Sequence, residues 1–441
     1  MVRPEYSNHF KKRQPSAIRL AQIEFSKRED KVLAINTAIG NVTLPLHPAL
    51  QKRMFNLGTP ESPFRDGAVK YTKTVGEEET RKAFLNIIEA SNFDTKGLMV
   101  QITDGGSQAM ELVILGCCGR VGEAIRSLMV IDAAYTNYKA MADRLGCQIV
   151  SIIRTLDKNG KFSLPDFEKI KEAIKKNNPN ALLVIPYDNP TGHFCDQETM
   201  IKLGEICVEN NIWLISDEAY RELYYLDKPP SSVWGITEKD VPGITGRRIS
   251  IESASKVWNG CGLRIGAIVT DNGEFHEKSV AENTANLCSS AIGQYIFGAL
   301  ALESKEDLQK WFLELRNYYK KMLTDFTGAM REILPGIIVS QPEASIYSVI
   351  DVRNIVDENF DARDFVLYCA QKGKVEINGQ EMTLLVAPMD GFYNIKEGEE
   401  NPGKKQMRLA YVLKEEEMKL VPELFVKLFQ SYRELCKKET N

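Results

Sequence analysis

Ala181-Leu-Leu-Val-Ile185 and Ile212-Trp-Leu-Ile215 are near-continuous apolar runs, and residues 197–210 between them have helical spacing. Apolar residues at consecutive positions suit strands that are covered on both faces. Strand, helix and strand in that order predict a parallel pair joined by a helical crossover. The pattern continues outward. Met99-Val-Gln-Ile-Thr103, Leu128-Met-Val-Ile131, Ile249-Ser-Ile251 and Ala267-Ile-Val-Thr270 read as further strands. Residues 107–118, 138–145 and 164–176 read as helices. The expected fold class is therefore α/β, built on a mainly parallel sheet.

Beyond Asp307 the texture changes. A long amphipathic run over 308–334 stops at Pro335-Gly336. Strand-like segments follow at 337–340, 346–352, 384–387 and 407–412, with helices at 362–371 and 414–437. This reads as a smaller α+β domain, and the acidic stretch 396–405 as an exposed loop. A chain of 441 residues exceeds one ordinary core. The expected division is an N-terminal arm with part of the small domain at 1–62, a large domain at 63–310, and a linking helix with the small domain at 311–441.

Composition excludes several functions. Lys and Arg number 56 against 60 Asp and Glu, for a net charge of −4, so no nucleic-acid partner is expected. The basic residues near the start are followed by no apolar run, and no stretch of roughly 18 apolar residues exists to cross a membrane. Nine scattered cysteines form no C-x-x-C, and the four histidines do not join them. Neither a disulfide framework nor a metal site is expected, and free thiols point to a reducing cytoplasm.

The chemistry-bearing residues follow the strands. Asp217, in Ser216-Asp-Glu-Ala-Tyr220, comes at a strand's C-terminal end, where ligands of open α/β sheets bind. Asn189-Pro-Thr-Gly192 follows the strand 181–185, and its turn would aim the asparagine amide at the same cleft. Thr103-Asp-Gly-Gly-Ser-Gln108 passes from strand to helix, where glycines and free N–H groups can cradle a phosphate. Ser253-Ala-Ser-Lys256 follows the strand 249–251; a lysine held there out of bulk water is a nucleophile. Arg264 comes eight residues later.

In this order N-P-T-G, D-E-x-Y and S-x-S-K with its downstream arginine resemble the class I/II aminotransferases of pyridoxal-phosphate (PLP) fold type I. The resemblance spans roughly residues 30–430. It implies that Lys256 carries PLP as a Schiff base and later shuttles a proton, with Asp217 on the pyridine nitrogen. Asn189 and Tyr220 would hold the ring oxygen. Ser253, Ser255, Arg264, the backbone of Gly106 and Ser107, and the adjoining Gln108 would hold the phosphate end. Tyr135 matches the aromatic that stacks on the ring. Arg408 matches the arginine that grips the substrate carboxylate, and Gly40 belongs to the loop that covers substrate. Tyr71 matches a tyrosine that reaches the phosphate of a neighbouring subunit, which implies a homodimer with composite sites. The implied reaction is ping-pong transfer between an amino acid and a 2-oxo acid; a C–S β-lyase of the same fold would need the same residues. Ser107 stands where many aspartate aminotransferases carry a lysine for a second substrate carboxylate, which leaves the substrate open.

Overall fold

The computed structural model describes residues 4–119, 126–396 and 398–440. Its largest sheet has seven strands, in the order Met99–Asp104, Ile265–Thr270, Arg248–Ser253, Trp213–Asp217, Ala181–Val184, Ser127–Asp132 and Gln148–Ile153. Neighbours run parallel except Ile265–Thr270, which is antiparallel to both of its partners. The mainly parallel α/β sheet is thus as the sequence indicates. Every residue of Ser127–Asp132 and Ile265–Thr270 is buried, which is why they read as unbroken apolar runs. The edge strand Gln148–Ile153 escaped that reading because all its residues are exposed or half-buried.

Helices cover both faces of this sheet. Gly105–Cys118 and Asn137–Leu145 bury Val113 and Met141 against Leu128, Val130, Ile215 and Ile251. On the other face Met200, Leu203 and Ile206 of Gln197–Glu209 join the core that contains Leu182, Val184 and Leu214. Each such aliphatic side chain contributes about 1.5–3 kcal/mol when fully withdrawn from water.

Lys305–Ile333 is a 29-residue helix, roughly 44 Å long at 1.5 Å per residue. Ser304 caps it by accepting from the Asp307 amide, and Glu306 and Asp307 sit favourably at its positive end. Past its end lie two smaller sheets. One is antiparallel, in the order Ile338–Val339, Tyr347–Asp351, Gln406–Ala410 and Ala387–Pro388. The other pairs Leu33–Asn36 in parallel with Gln380–Leu385, so the N-terminal segment returns to the C-terminal region.

Two expectations change. The terminal helix is two, Glu415–Met418 and Val421–Thr440, because Pro422 cannot continue a helix but suits the first turn of a new one. The acidic stretch 396–405 carries a tight turn, Pro402–Lys405, with Gly403 buried against Met389. Among the described residues no helix is long and apolar enough to cross a membrane. None of the nine cysteines is in a disulfide among the described residues.

Candidate active site

The parallel strands deliver their C-terminal ends to one cavity of about 850 Å³. Asp217 and Ser253 are the last residues of their strands, while Gly106, Tyr135, Asn189 and Lys256 follow the ends of theirs. This is the crevice position expected for ligands of open α/β sheets. Of the residues singled out in the sequence, Gly40, Gly106, Ser107, Tyr135, Asn189, Asp217, Tyr220, Ser253, Ser255, Lys256, Arg264 and Arg408 all line it.

Asp217 is half-buried and lines the cavity. Its Oδ2 accepts from the Tyr138 hydroxyl at 2.6 Å, and its Oδ1 from the Ala219 amide at 3.2 Å. Burial pushes its carboxyl above the usual aspartate range, and the Tyr138 hydrogen bond opposes that shift. Tyr138 in turn packs edge-on against Tyr135, ring centroids 5.5 Å apart. Burial raises the Tyr135 hydroxyl to about 12, so it stays protonated and accepts from Asn137 at 2.8 Å.

At the opposite end, the helix Gly105–Cys118 begins directly after the strand Met99–Asp104. Gly105 has φ +73°, and a side chain there would strike the guanidinium of Arg264. Arg264 donates to the carbonyls of Cys261 at 3.1 Å and Asp104 at 3.2 Å, which fixes it beside the helix N-terminus. The Ser253 hydroxyl donates to Ser255 Oγ at 2.9 Å. First-turn amides, two hydroxyls and an arginine so converge on one spot, a donor set suited to an anion.

Lys256 Nζ donates to the Gly40 carbonyl, which joins the catalytic-lysine candidate to the N-terminal loop. A Cβ on Gly40 would collide with the Tyr347 hydroxyl and lie 2.9 Å from Lys256 Nζ. Arg408 is buried on the strand Gln406–Ala410. Its Nη2 donates to Ala38 O at 2.6 Å and its Nη1 to Asn189 Oδ1 at 3.1 Å. Its guanidinium also lies over the rings of Tyr347 and Phe392, at 4.4 and 5.2 Å. Its Nε has no partner, so a buried donor is left for a ligand. The Asn189 amide donates weakly to the Tyr220 hydroxyl at 3.4 Å, and that hydroxyl sits 2.8 Å from the hydroxyl of Tyr347.

Two expected residues are not brought to the cavity wall. Gln108 turns back to its own helix start: its Oε1 accepts from the Asp104 amide at 2.7 Å, and its amide donates to Asn283. A long amide beside free first-turn N–H groups serves as a cap, and this is how it is used. Tyr71 is 81% exposed and also off the wall. Sequence reading missed Tyr138 and Tyr347. Tyr138 lies in the segment quoted for Tyr135, but only the fold turns its hydroxyl to Asp217. Tyr347 lies in a strand recognised as such. Its place is set by register, since Val349 pairs with Arg408 and Tyr347 shares that face two residues on.

A family model described as aminotransferase class I and II matches residues 65–383. An aspartate aminotransferase of Musicola paradisiaca is 23% identical over 339 residues, covering 74% of this chain and 78% of its own. One from Sulfurisphaera tokodaii is 25% identical over 389 residues, 87% of each chain. Among solved structures, an N-succinyldiaminopimelate aminotransferase from Mycobacterium tuberculosis superposes with a TM-score of 0.78 at 19% identity, covering 96% of this chain and all of that one.

Proposed function

The chain belongs to the class I and II aminotransferases, and as such moves amino groups between amino acids and 2-oxo acids; we propose that it does so with pyridoxal phosphate carried on Lys256. One observation carries this reading: a single cavity gathers an amine, one isolated carboxylate and a separate cluster of anion donors. The residues fit the cofactor. Among the described residues Asp217 is the only acidic side chain lining the cavity, and a protonated ring nitrogen beside it would offset the cost of burying its charge. The amides of Gly106 and Ser107, the hydroxyls of Ser253 and Ser255, and Arg264 suit the phosphate.

When bound, pyridoxal phosphate supplies a carbonyl carbon that takes up the amino group and a ring that accepts the electron pair left on the substrate α-carbon. The protein does the remainder. Arg408, which lines the cavity and has an unpartnered Nε, would bind the substrate carboxylate. Lys256 Nζ takes the proton from the α-carbon and returns it. Asp217 keeps a proton on the ring nitrogen, Asn189 and Tyr220 hold the ring oxygen, and Tyr135 orients the ring. The Gly40 loop covers the substrate and excludes water. Because amino acid and 2-oxo acid use the same residues in turn, the kinetics are ping-pong.

The test is a half-reaction measurement. Amino acids are added singly to the purified holoenzyme, and one equivalent of 2-oxo acid should appear as the cofactor absorbance changes. Pyruvate and ammonia from cystathionine would instead establish β-lyase chemistry. Lys256→Ala should lose both turnover and covalent cofactor; retained turnover would overturn the assignment.

The remaining parts of the proposal are architectural. Residues 63–310 would form the cofactor domain, with 1–62 and 311–441 supplying the arm, linking helix and small domain. Limited proteolysis that first cuts within 63–310 would count against it. Tyr71, exposed in the single chain, would reach the phosphate of a partner subunit. Sedimentation at one chain mass of 49.7 kDa would exclude that dimer. Nine cysteines with no disulfide among the described residues suit a reducing cytoplasm, which cell fractionation would check.

A further inference from the structure

We propose that Tyr347 is a positioning residue for the cofactor: its hydroxyl donates to Tyr220 and leaves the single Tyr220 proton for the ring oxygen. The inference rests on the cofactor reading and adds a residue to it.

The direction of each hydrogen bond follows from counting donors. Arginine carries no acceptor, so the Arg408 Nη1 contact at 3.1 Å fixes Asn189 Oδ1 as the accepting side of its amide. The other side, Nδ2, must then donate, and the Tyr220 hydroxyl oxygen lies 3.4 Å from it. A hydroxyl has one proton and two lone pairs. Tyr220 and Tyr347 share a hydrogen bond of 2.8 Å, and one of the two must give it. Among the described residues the Tyr347 hydroxyl has no other hydrogen-bond partner. When Tyr347 gives the bond, both lone pairs of Tyr220 are filled and its own proton is left for the cavity, which both rings line. Burial pushes the Tyr220 hydroxyl well above the usual tyrosine range, so that proton is retained. The opposite direction would turn the Tyr220 proton to Tyr347 and leave a negative ring oxygen facing a lone pair.

Tyr347 is held for this role from three sides. The residues just before it are tied to the large sheet: Ala344 N donates to Gly192 O and Ser345 N to Leu223 O, both at 2.8 Å. The Ser345 hydroxyl donates to Asp188 O at 2.7 Å. These bonds join Tyr347 to the turn that bears Asn189 and to the chain just past Tyr220. Its ring meets that of Tyr220 edge-on, centroids 5.6 Å apart, and lies 4.4 Å from the Arg408 guanidinium. Gly40 closes the third side, since a Cβ there would strike the hydroxyl.

The test follows the pH midpoint of the cofactor absorbance in the holoenzyme. Donors to the ring oxygen favour its most negative form, in which the nitrogen joined to Lys256 has lost its proton. Weakening a donor therefore raises the midpoint. Tyr220→Phe deletes a bond to a charged oxygen and should raise it by about 1–2 pH units. Tyr347→Phe keeps the ring and only weakens Tyr220 as a donor, so a rise of roughly a few tenths of a unit is expected. Because Tyr347 acts through Tyr220, adding Tyr347→Phe to Tyr220→Phe should produce no further shift. The other ionisable groups facing the pair, Tyr135, Asp217, Lys256 and Arg408, are the same in every variant. A Tyr347→Phe midpoint indistinguishable from the parent's, even with lowered thermal stability, would show packing alone and overturn the proposal. An equal shift on both backgrounds would overturn it too. A parent protein that takes up no pyridoxal phosphate would strike the cofactor reading itself, and this proposal with it.

Discussion

Tyr138→Phe removes one oxygen and little else. The ring that packs edge-on against Tyr135 remains, while the 2.6 Å hydrogen bond to Asp217 is lost. A hydrogen bond to a charged group contributes about 1.5–3 kcal/mol, so the carboxylate should hold a positive ring nitrogen less firmly by that amount. In affinity this is a weakening of pyridoxal phosphate binding by about ten- to a hundredfold. Stability of the cofactor-free protein should respond in a pH-dependent way. Burial already raises the folded-state pKa of Asp217 above its unfolded value, and the Tyr138 hydroxyl lowers it again. Losing that donor raises it further. An acid with a raised folded pKa contributes stability below its unfolded pKa that is lost as pH rises through the folded value. The variant should therefore match the parent in acid and fall behind as pH rises. Equilibrium dialysis of the cofactor and denaturant unfolding of the apoprotein between pH 5 and 8 would measure both. A cofactor dissociation constant within twofold of the parent, with a stability difference flat in pH, would refute the reasoning.

Two further outcomes are expected. Gly40→Ala places a methyl against the Tyr347 hydroxyl and 2.9 Å from Lys256 Nζ. Overpacking of about 1–3 kcal/mol should lower the melting temperature, since Ala38, Val42 and Tyr347 around it belong to the core, and should cut turnover by roughly ten- to a hundredfold, read by steady-state kinetics. Arg408→Lys keeps the charge but removes the planar fork that reaches Ala38 O and Asn189 Oδ1. KM for the amino acid should rise on the order of a hundredfold. An unchanged KM would mean that the substrate carboxylate binds elsewhere.

Cavity formation in this chain is a matter of reach. Asn189 and Arg408 are 219 residues apart and meet only because the antiparallel sheet carrying Arg408 closes over the strand ends.

The parallel sheet, and the residues that line the cavity at its strand ends, were readable from sequence. Strands covered on both faces must be apolar along their whole length, and ligand residues must follow them immediately, so both are written locally. Ser253-Ala-Ser-Lys256 and Asp217 could be found without coordinates for that reason. The edge strand Gln148–Ile153 went unread; none of its residues is fully buried. Only tertiary structure decided which neighbours complete the site. Tyr138 reaches Asp217 across 79 residues, and Tyr347 reaches Tyr220 across 127. Gln108, adjacent to the anion cradle in sequence, instead spends its amide on its own helix start. A side chain's direction depends on register and helix phase across distant segments, and no local pattern of residue types encodes that.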